Sequence, residues 1–207
     1  MPTLLHIDSS PMGAASVSRH LSTTFTDKWK AAHPDGKVVT RDLTKAGLVP
    51  IDAGWVAAVY TPEEARTAEQ KSVLATSDEL LAEIGAADEL AIGVAMHNFS
   101  IPAVLKLYLD QIVRVGKAFA YVDGAPKGLL TGKKVTFLVA TGGVYGAGTA
   151  YESMNFIEPY LKTLFGFIGF TDVTFHTAGG AAALSRGANR EEFLQPHDEA
   201  VAALAAA

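Results

Sequence analysis

The sequence predicts an α/β protein, a three-layer sandwich in which one five-stranded parallel sheet is covered on both faces by helices. Three observations predict it. Short apolar runs and helical patterns alternate from one end of the 207 residues to the other. The runs are nearly continuous in hydrophobicity, as strands buried on both faces must be. Successive runs are also separated by enough chain for a helical crossover, which parallel strands require.

Taken in order, Thr3–Ile7 (TLLHI) is the first strand. Ser18 to about Ala32 is a helix, because Leu21, Phe25 and Trp29 fall four apart on one face. Lys37–Arg41 is a short second strand, and Asp42–Tyr60, with Gly47, Pro50 and Gly54, reads as an irregular excursion. Thr61-Pro62-Glu63-Glu64 has the form of a helix start, with a capping residue, proline in the first turn and glutamate three after the cap. The helical pattern continues through Leu80, Leu81 and Ile84. Glu89–Ala95 is the third strand and Pro102 to about Val115 the next helix. Val135–Ala140 is the fourth strand, with a helix around Met154–Phe165 after it. Asp172–Thr177 is the fifth, and Asn189 to the terminus the last helix, with Ala202–Ala207 as its fraying end. The economical arrangement is doubly wound, flavodoxin-like, with strand order 2-1-3-4-5 and one domain over residues 1–207.

Composition narrows the function. A net charge of -5 and the lack of any run of Lys and Arg argue against a nucleic-acid or acidic-membrane partner. The absence of cysteine excludes disulfides, thiolate metal sites and cysteine nucleophiles. The opening MPTLLHIDSS lacks the basic start and cleavage site of a signal peptide, and no stretch approaches the roughly 20 apolar residues that span a bilayer. A cytoplasmic protein is expected. His6 and Asp8 share one strand face, yet core packing explains them better than a metal, since no third ligand is within sequence reach.

In a doubly wound sheet, ligands bind beyond the carboxyl ends of the strands, where the strand order reverses. The loops expected there are SSPMGAASVS, MHNFSI and TGGVYGAG. In the first, Ser9, Ser10, Ser16 and Ser18 ring a helix start, where free amides and hydroxyls suit a phosphate-sized anion held without lysine. Plain helix capping by Ser16 explains part of the same pattern. In the second, Met96 and Phe99 can wall a flat ligand while His97 and Asn98 bond its rim. In the third, Gly142-Gly143 lets backbone lie flat against such a ligand, with Tyr145 nearby. Neither the phosphate loop G-x-x-x-x-G-K-[ST] nor the dinucleotide glycine pattern is present.

SS at the end of the first strand, SVS at the first helix, MHNFSIPAVLKLYLDQIVRVGKAF, TGGVY and LKTLFGFIGFTDV together resemble the FMN-dependent NADH:azoreductases. These are also described as NADH:quinone oxidoreductases, of the flavodoxin-like superfamily. The resemblance covers nearly the whole chain. It implies FMN as cofactor, with Ser10 and Ser16, Val17 and Ser18 at the phosphate. Met96, His97, Asn98 and Phe99 would line the isoalloxazine ring, and Ala140, Thr141, Gly142 and Gly143 would close its other side. Position 97 is usually tyrosine in the family and is histidine here, and the frequent Ser-Arg before the glycines is Ala140-Thr141. The missing arginine bears on pyridine-nucleotide handling and pocket charge.

The resemblance further implies hydride transfer from NAD(P)H through flavin N5 to quinones and azo compounds in a ping-pong cycle, by a homodimer. The flavin carries the chemistry, so no catalytic side chain is required. His97 is a candidate proton donor, but packing on the flavin is the favoured account of its ring. Phe119, Tyr121 and Tyr145 are candidate walls of the acceptor pocket, and the helix Pro102–Val115 a candidate dimer contact. Trp55 and Tyr60 of the excursion could reach a partner subunit or cover the pocket. The absence of an arginine cluster for a 2′-phosphate favours NADH over NADPH. A non-catalytic flavodoxin-type electron carrier would share fold and cofactor. A receiver domain lacks its aspartate, since Met96-His97 follows the third strand, and a hydrolase lacks a metal cluster or nucleophile–base pair.

Overall fold

The structure, a computed structural model, describes residues 1–206. Its strands are β1 (Thr3–Asp8), β2 (Lys37–Asp42), β3 (Glu89–Ala95), β4 (Phe119–Val122), β5 (Ala125–Gly128), β6 (Lys134–Ala140) and β7 (Asp172–Ala178). Its helices are α1 (Val17–Ala32), α2 (Ala53–Tyr60), α3 (Ala68–Ala86), α4 (Ala103–Ile112), α5 (Glu158–Ile168) and α6 (Arg190–Ala205). The main sheet is parallel throughout, in the order β2-β1-β3-β6-β7. Counting its strands alone, this is the expected 2-1-3-4-5.

The sheet splits the core into two layers. On one face Leu5, Ile7, Ile92, Val94, Phe137 and Val139 pack against α3, α4 and α5. On the other, Leu4, Ala91 and Leu138 meet Leu21, Phe25 and Trp29 of α1 and Leu194 and Val201 of α6. Gly93 lets α1 lie close on the sheet, for a Cβ there would stand 3.1 Å from the carbonyl of Ser18 and 3.0 Å from Asp8. This closeness brings the start of α1 to the carboxyl edge between β1 and β3.

Several elements differ from the expectation. The excursion 42–60 contains a helix, α2, capped by Asp52, which accepts from the amide of Trp55 at 2.8 Å. Trp55 is buried and donates to Gln111 Oε1 at 2.9 Å, so it does not extend outward, whereas Tyr60 is exposed. Thr61-Pro62-Glu63-Glu64 forms only a single 3₁₀ turn over Glu63–Ala65. The long helix begins after Thr67, whose hydroxyl and Gln70 cap each other's amides at 3.2 and 3.1 Å. The helix expected around Met154–Phe165 starts later, at Glu158, after Asn155 Oδ1 has accepted from the amides of Ile157 and Glu158. The apolar face of α4 is spent inside the chain: Leu105, Tyr108, Leu109 and Ile112 are fully buried. Val104 and Leu107 of the same helix remain half-buried. The antiparallel hairpin β4–β5 was not expected at all. Ala207, part of the expected fraying end, lies outside the described residues.

Candidate functional site

The three loops meet at the carboxyl edge of the sheet, and hydrogen bonds tie each to its neighbour. Ser9 Oγ donates to the Gly93 carbonyl at 2.7 Å, binding the end of β1 to β3. The amide of Met96 donates to Ala140 at 2.8 Å, binding the second loop to β6. The third loop is clamped to the turn after β7: Thr141 donates to Ala178 at 3.0 Å, and Gly180 donates to Gly143 at 2.9 Å.

In the first loop Ser10, Ser16 and Ser18 are buried around the start of α1. Ser16 caps the helix by accepting from Arg19 at 3.2 Å, and its hydroxyl stands 3.2 Å from that of Ser18. A helix cannot satisfy its first amides internally. Here those of Val17 and Ser18 donate to no acceptor of the chain among the described residues. No lysine lies in this turn, and the Arg19 guanidinium is spent on carboxylates and a carbonyl of the chain. Arg19 bonds Asp8 at 3.2 Å, Asp42 at 2.7 Å and the Ser10 carbonyl at 2.7 Å. The Arg19 guanidinium bond holds the Asp42 carboxyl down at about 2. The result is a neutral cradle of amides and hydroxyls, whose donor chemistry fits a terminal phosphate.

The second loop is a tight turn. His97 and Ser100 exchange amide–carbonyl bonds of 2.9 and 3.0 Å, and both central residues are left-handed, Asn98 at φ 49° and Phe99 at φ 69°. His97, Asn98 and Phe99 are exposed. The Phe99 carbonyl accepts from Phe156 at 3.2 Å, which joins this loop to the segment before α5.

In the third loop Thr141 is buried, with its hydroxyl donating to the Gly143 carbonyl at 2.8 Å. Its amide, carbonyl and hydroxyl are all used within the chain, so it shapes the loop and presents nothing outward. Ala140 is likewise buried. Gly142 has room for a Cβ, whereas one on Gly143 would lie 3.1 Å from the Tyr145 ring. That ring meets Phe99 nearly edge to face, centroids 6.2 Å apart, and lies 6.4 Å from Tyr151. Beside them opens a cleft of about 670 Å³ lined in part by Tyr145, Phe156, Phe175 and Lys162. Met12, Phe99, Val144, Tyr151 and Phe156 are exposed around these loops, a concentration of apolar surface that marks a binding face.

Phe119 and Tyr121 are not brought to these loops. They lie on β4, whose hairpin hangs beside the end of α5: Leu130 donates to Ile168 at 2.9 Å, and the Phe119 ring meets that of Phe167 at a tilt of 52°, centroids 4.7 Å apart. This is the amino edge of the sheet, opposite the three loops. Sequence reading missed Phe156, which the long loop before α5 carries to the cleft, and Tyr151, which the same loop sets beside Tyr145. It also missed Arg190, whose guanidinium reaches the carbonyls of Ala15 and Ser16 at 3.0 and 3.3 Å.

The family model described as "Flavodoxin-like fold" matches residues 2–203. An FMN-dependent NADH:quinone oxidoreductase of Acidobacterium capsulatum is 60% identical over 197 residues, 95% of each chain. Another, from Burkholderia lata, is 48% identical over 202 residues, 97% of this chain and 98% of that one. Among solved structures, an FMN-dependent NADH-azoreductase from Bacillus anthracis in complex with FMN superposes with a TM-score of 0.88 at 27% identity, covering 99% and 98% of the two chains. An azoreductase from the Sterne strain of the same organism gives 0.89 at 29%, covering 100% and 99%. Fold, loop placement and likeness over nearly the full length agree: the chain belongs to the flavodoxin-like family of the FMN-dependent NADH:quinone oxidoreductases.

Proposed function

We propose that this protein is an FMN-dependent oxidoreductase that carries reducing equivalents from NADH to quinones and azo compounds, working as a cytoplasmic homodimer. One observation carries the reading: a neutral amide-and-serine cradle, a strained exposed turn and a glycine loop stand side by side at one edge of the sheet. FMN, when bound, supplies the two-electron redox chemistry between the nicotinamide and the acceptor.

The side chains divide the remaining work. Ser10 and the turn Ser16-Val17-Ser18 hold the phosphate with neutral donors. Met96 and Phe99 would flank the ring, while His97 and Asn98 would address its polar edge. Gly142 and Gly143 close the opposite side, shaped by Ala140 and Thr141 behind them. Tyr145, propped edge-on against Phe99, walls the place where nicotinamide and acceptor stack in turn. The cleft past Tyr145 leads acceptors in and excludes bulk water from the ring face.

The homodimer reading is supported by the hairpin. Phe119, Tyr121 and Phe167 form a partly exposed aromatic cluster with no role at the amino edge of their own sheet. A second copy can use them as the missing wall of its acceptor pocket.

An absorption spectrum of the purified protein, followed by one anaerobic addition of NADH, tests the activity. The flavin bands should bleach quickly and return on adding a benzoquinone. Flavin that binds but stays oxidised would favour the flavodoxin-type electron carrier. A colourless protein that FMN does not reconstitute would remove the cofactor assignment.

A further inference from the structure

We propose that Arg190, the first residue of α6, is a positioning residue for the FMN phosphate, acting through the carbonyls of the turn before α1. The inference rests on the cofactor reading above and deepens it.

A turn can offer its amides to an anion only if its carbonyls are directed elsewhere. Here three carbonyls around the cradle are taken by guanidiniums. Arg19 Nε donates to Ser10 at 2.7 Å, and the two terminal nitrogens of Arg190 donate to Ala15 and Ser16 at 3.0 and 3.3 Å. The planar guanidinium fork spans two consecutive peptide carbonyls in a way a single ammonium cannot. The pinned Ser16–Val17 peptide carries the amide of Val17 and directly precedes that of Ser18, and both amides are free among the described residues.

Two further observations separate Arg190 from an ordinary surface arginine. It occupies the first turn of a helix, where the dipole disfavours a cation and where the neighbouring Glu191 and Glu192 are placed as expected. Helix stability does not call for arginine there, and Asn189 already caps α6 by accepting from Glu191 and Glu192 at 2.9 and 3.2 Å. The charges also differ. Arg19 is neutralised by Asp8 and Asp42, whereas Arg190 makes no ion pair with a carboxylate among the described residues. Arg190 therefore lends its charge to a cradle that has none of its own.

FMN and riboflavin differ only in the phosphate, so their affinities separate this role from a general structural one. Apoprotein of the wild type, Arg190→Met and Arg190→Lys is titrated with each flavin by fluorescence quenching. Arg190→Met should raise the Kd for FMN about ten- to a hundredfold, the range of charge-assisted bonds, and leave that for riboflavin unchanged. Equal weakening of both flavins, or FMN affinity within about twofold of wild type, would overturn the proposal. Arg190→Lys decides alone if the methionine variant does not fold. It keeps charge and stem but not the fork, so an FMN-specific loss of about threefold or more is expected, and wild-type FMN affinity would overturn the two-carbonyl role. A wild-type protein that binds both flavins equally would instead remove the phosphate from the turn Ser10–Ser18, which is a failure of the underlying site.

Discussion

Phe99 stands in left-handed backbone at φ 69°, a region that costs most side chains roughly 1–2 kcal/mol and that tight turns usually give to glycine. Its neighbour Asn98 tolerates the same region well, which leaves Phe99 as the residue under strain. Glycine there would relieve the backbone but lose roughly 0.5–1 kcal/mol to its freedom in the unfolded chain. Phe99→Gly should accordingly leave the melting temperature of the apoprotein near that of the wild type while weakening FMN binding about tenfold, if the ring is kept for the flavin. A clear fall in melting temperature with unchanged FMN affinity would assign the ring to stability instead. Gly143→Ala is the complementary probe: its Cβ would press within 3.1 Å of Tyr145 and displace that ring. Stopped-flow half-reactions should then show reoxidation by quinone slowed several-fold, together with a weaker hold on FMN. At this scale the sequence made the candidate binding residues visible as types but not their postures. That Thr141 would be consumed by Gly143, and that Tyr145 would stand over it, depends on a clamp from the turn after β7.

The helix α6 shows what an element contributes beyond its own residues. His197 on α6 and His176 on β7 place their Nδ1 and Nε2 3.1 Å apart, so the contact holds with at most one proton between them. Burial pushes both pKa values below the ordinary 6.5, and for His176 the nearby His197 adds to it. Asp198, facing His20 at 2.8 Å and Thr24 at 3.3 Å, partly opposes this at His197. The unfolded chain, with ordinary histidines, binds more protons as the pH drops through 6.5, so this contribution is present above that value and lost below it. Melting temperature should fall by roughly 2–4 °C per kcal/mol so lost between pH 7 and 5.5, and His197→Gln should flatten the slope. An unchanged slope would remove the pair as its cause. Other elements were harder to see. The hairpin carried its own signal in Asp123-Gly124, a pair at φ 53° and 79° suited to a two-residue turn, but Pro126 within β5 obscures the second strand. α2 was hidden by the glycine and proline around it, since its cap, Asp52, is a residue equally at home in turns.

For the whole molecule, the five parallel strands and their order follow from apolar runs that have no other way to be buried, and these were legible from end to end. Contacts between distant parts of the chain were not. Arg190 is 174 residues from Ser16, and nothing local to either marks the other. The same limit applies between copies. The sequence pointed to Phe119 and Tyr121 as pocket walls, and the structure puts them at the far edge of their own sheet, where the proposed partner subunit would use them. Subunit mixing tests this. Phe119→Ala combined with Tyr121→Ala, and separately a variant unable to bind FMN, should each be poor quinone reductases. After mixing under conditions that exchange subunits, activity should rise above the sum of the two, because some mixed dimers hold one intact site. No gain would mean that the hairpin completes nothing across an interface.

The position of Arg190 also sets an order of events during synthesis. The turn before α1 leaves the ribosome well ahead of Arg190, which follows Ser16 by 174 residues, in α6. At ordinary elongation rates this interval is roughly 10–35 s. With Arg190 as the pin, a nascent chain already carries the serines and amides of the cradle yet cannot hold them in their final posture. Cofactor loading at full affinity is then an event that follows the emergence of α6, and a chain cut short before that helix would hold FMN more weakly.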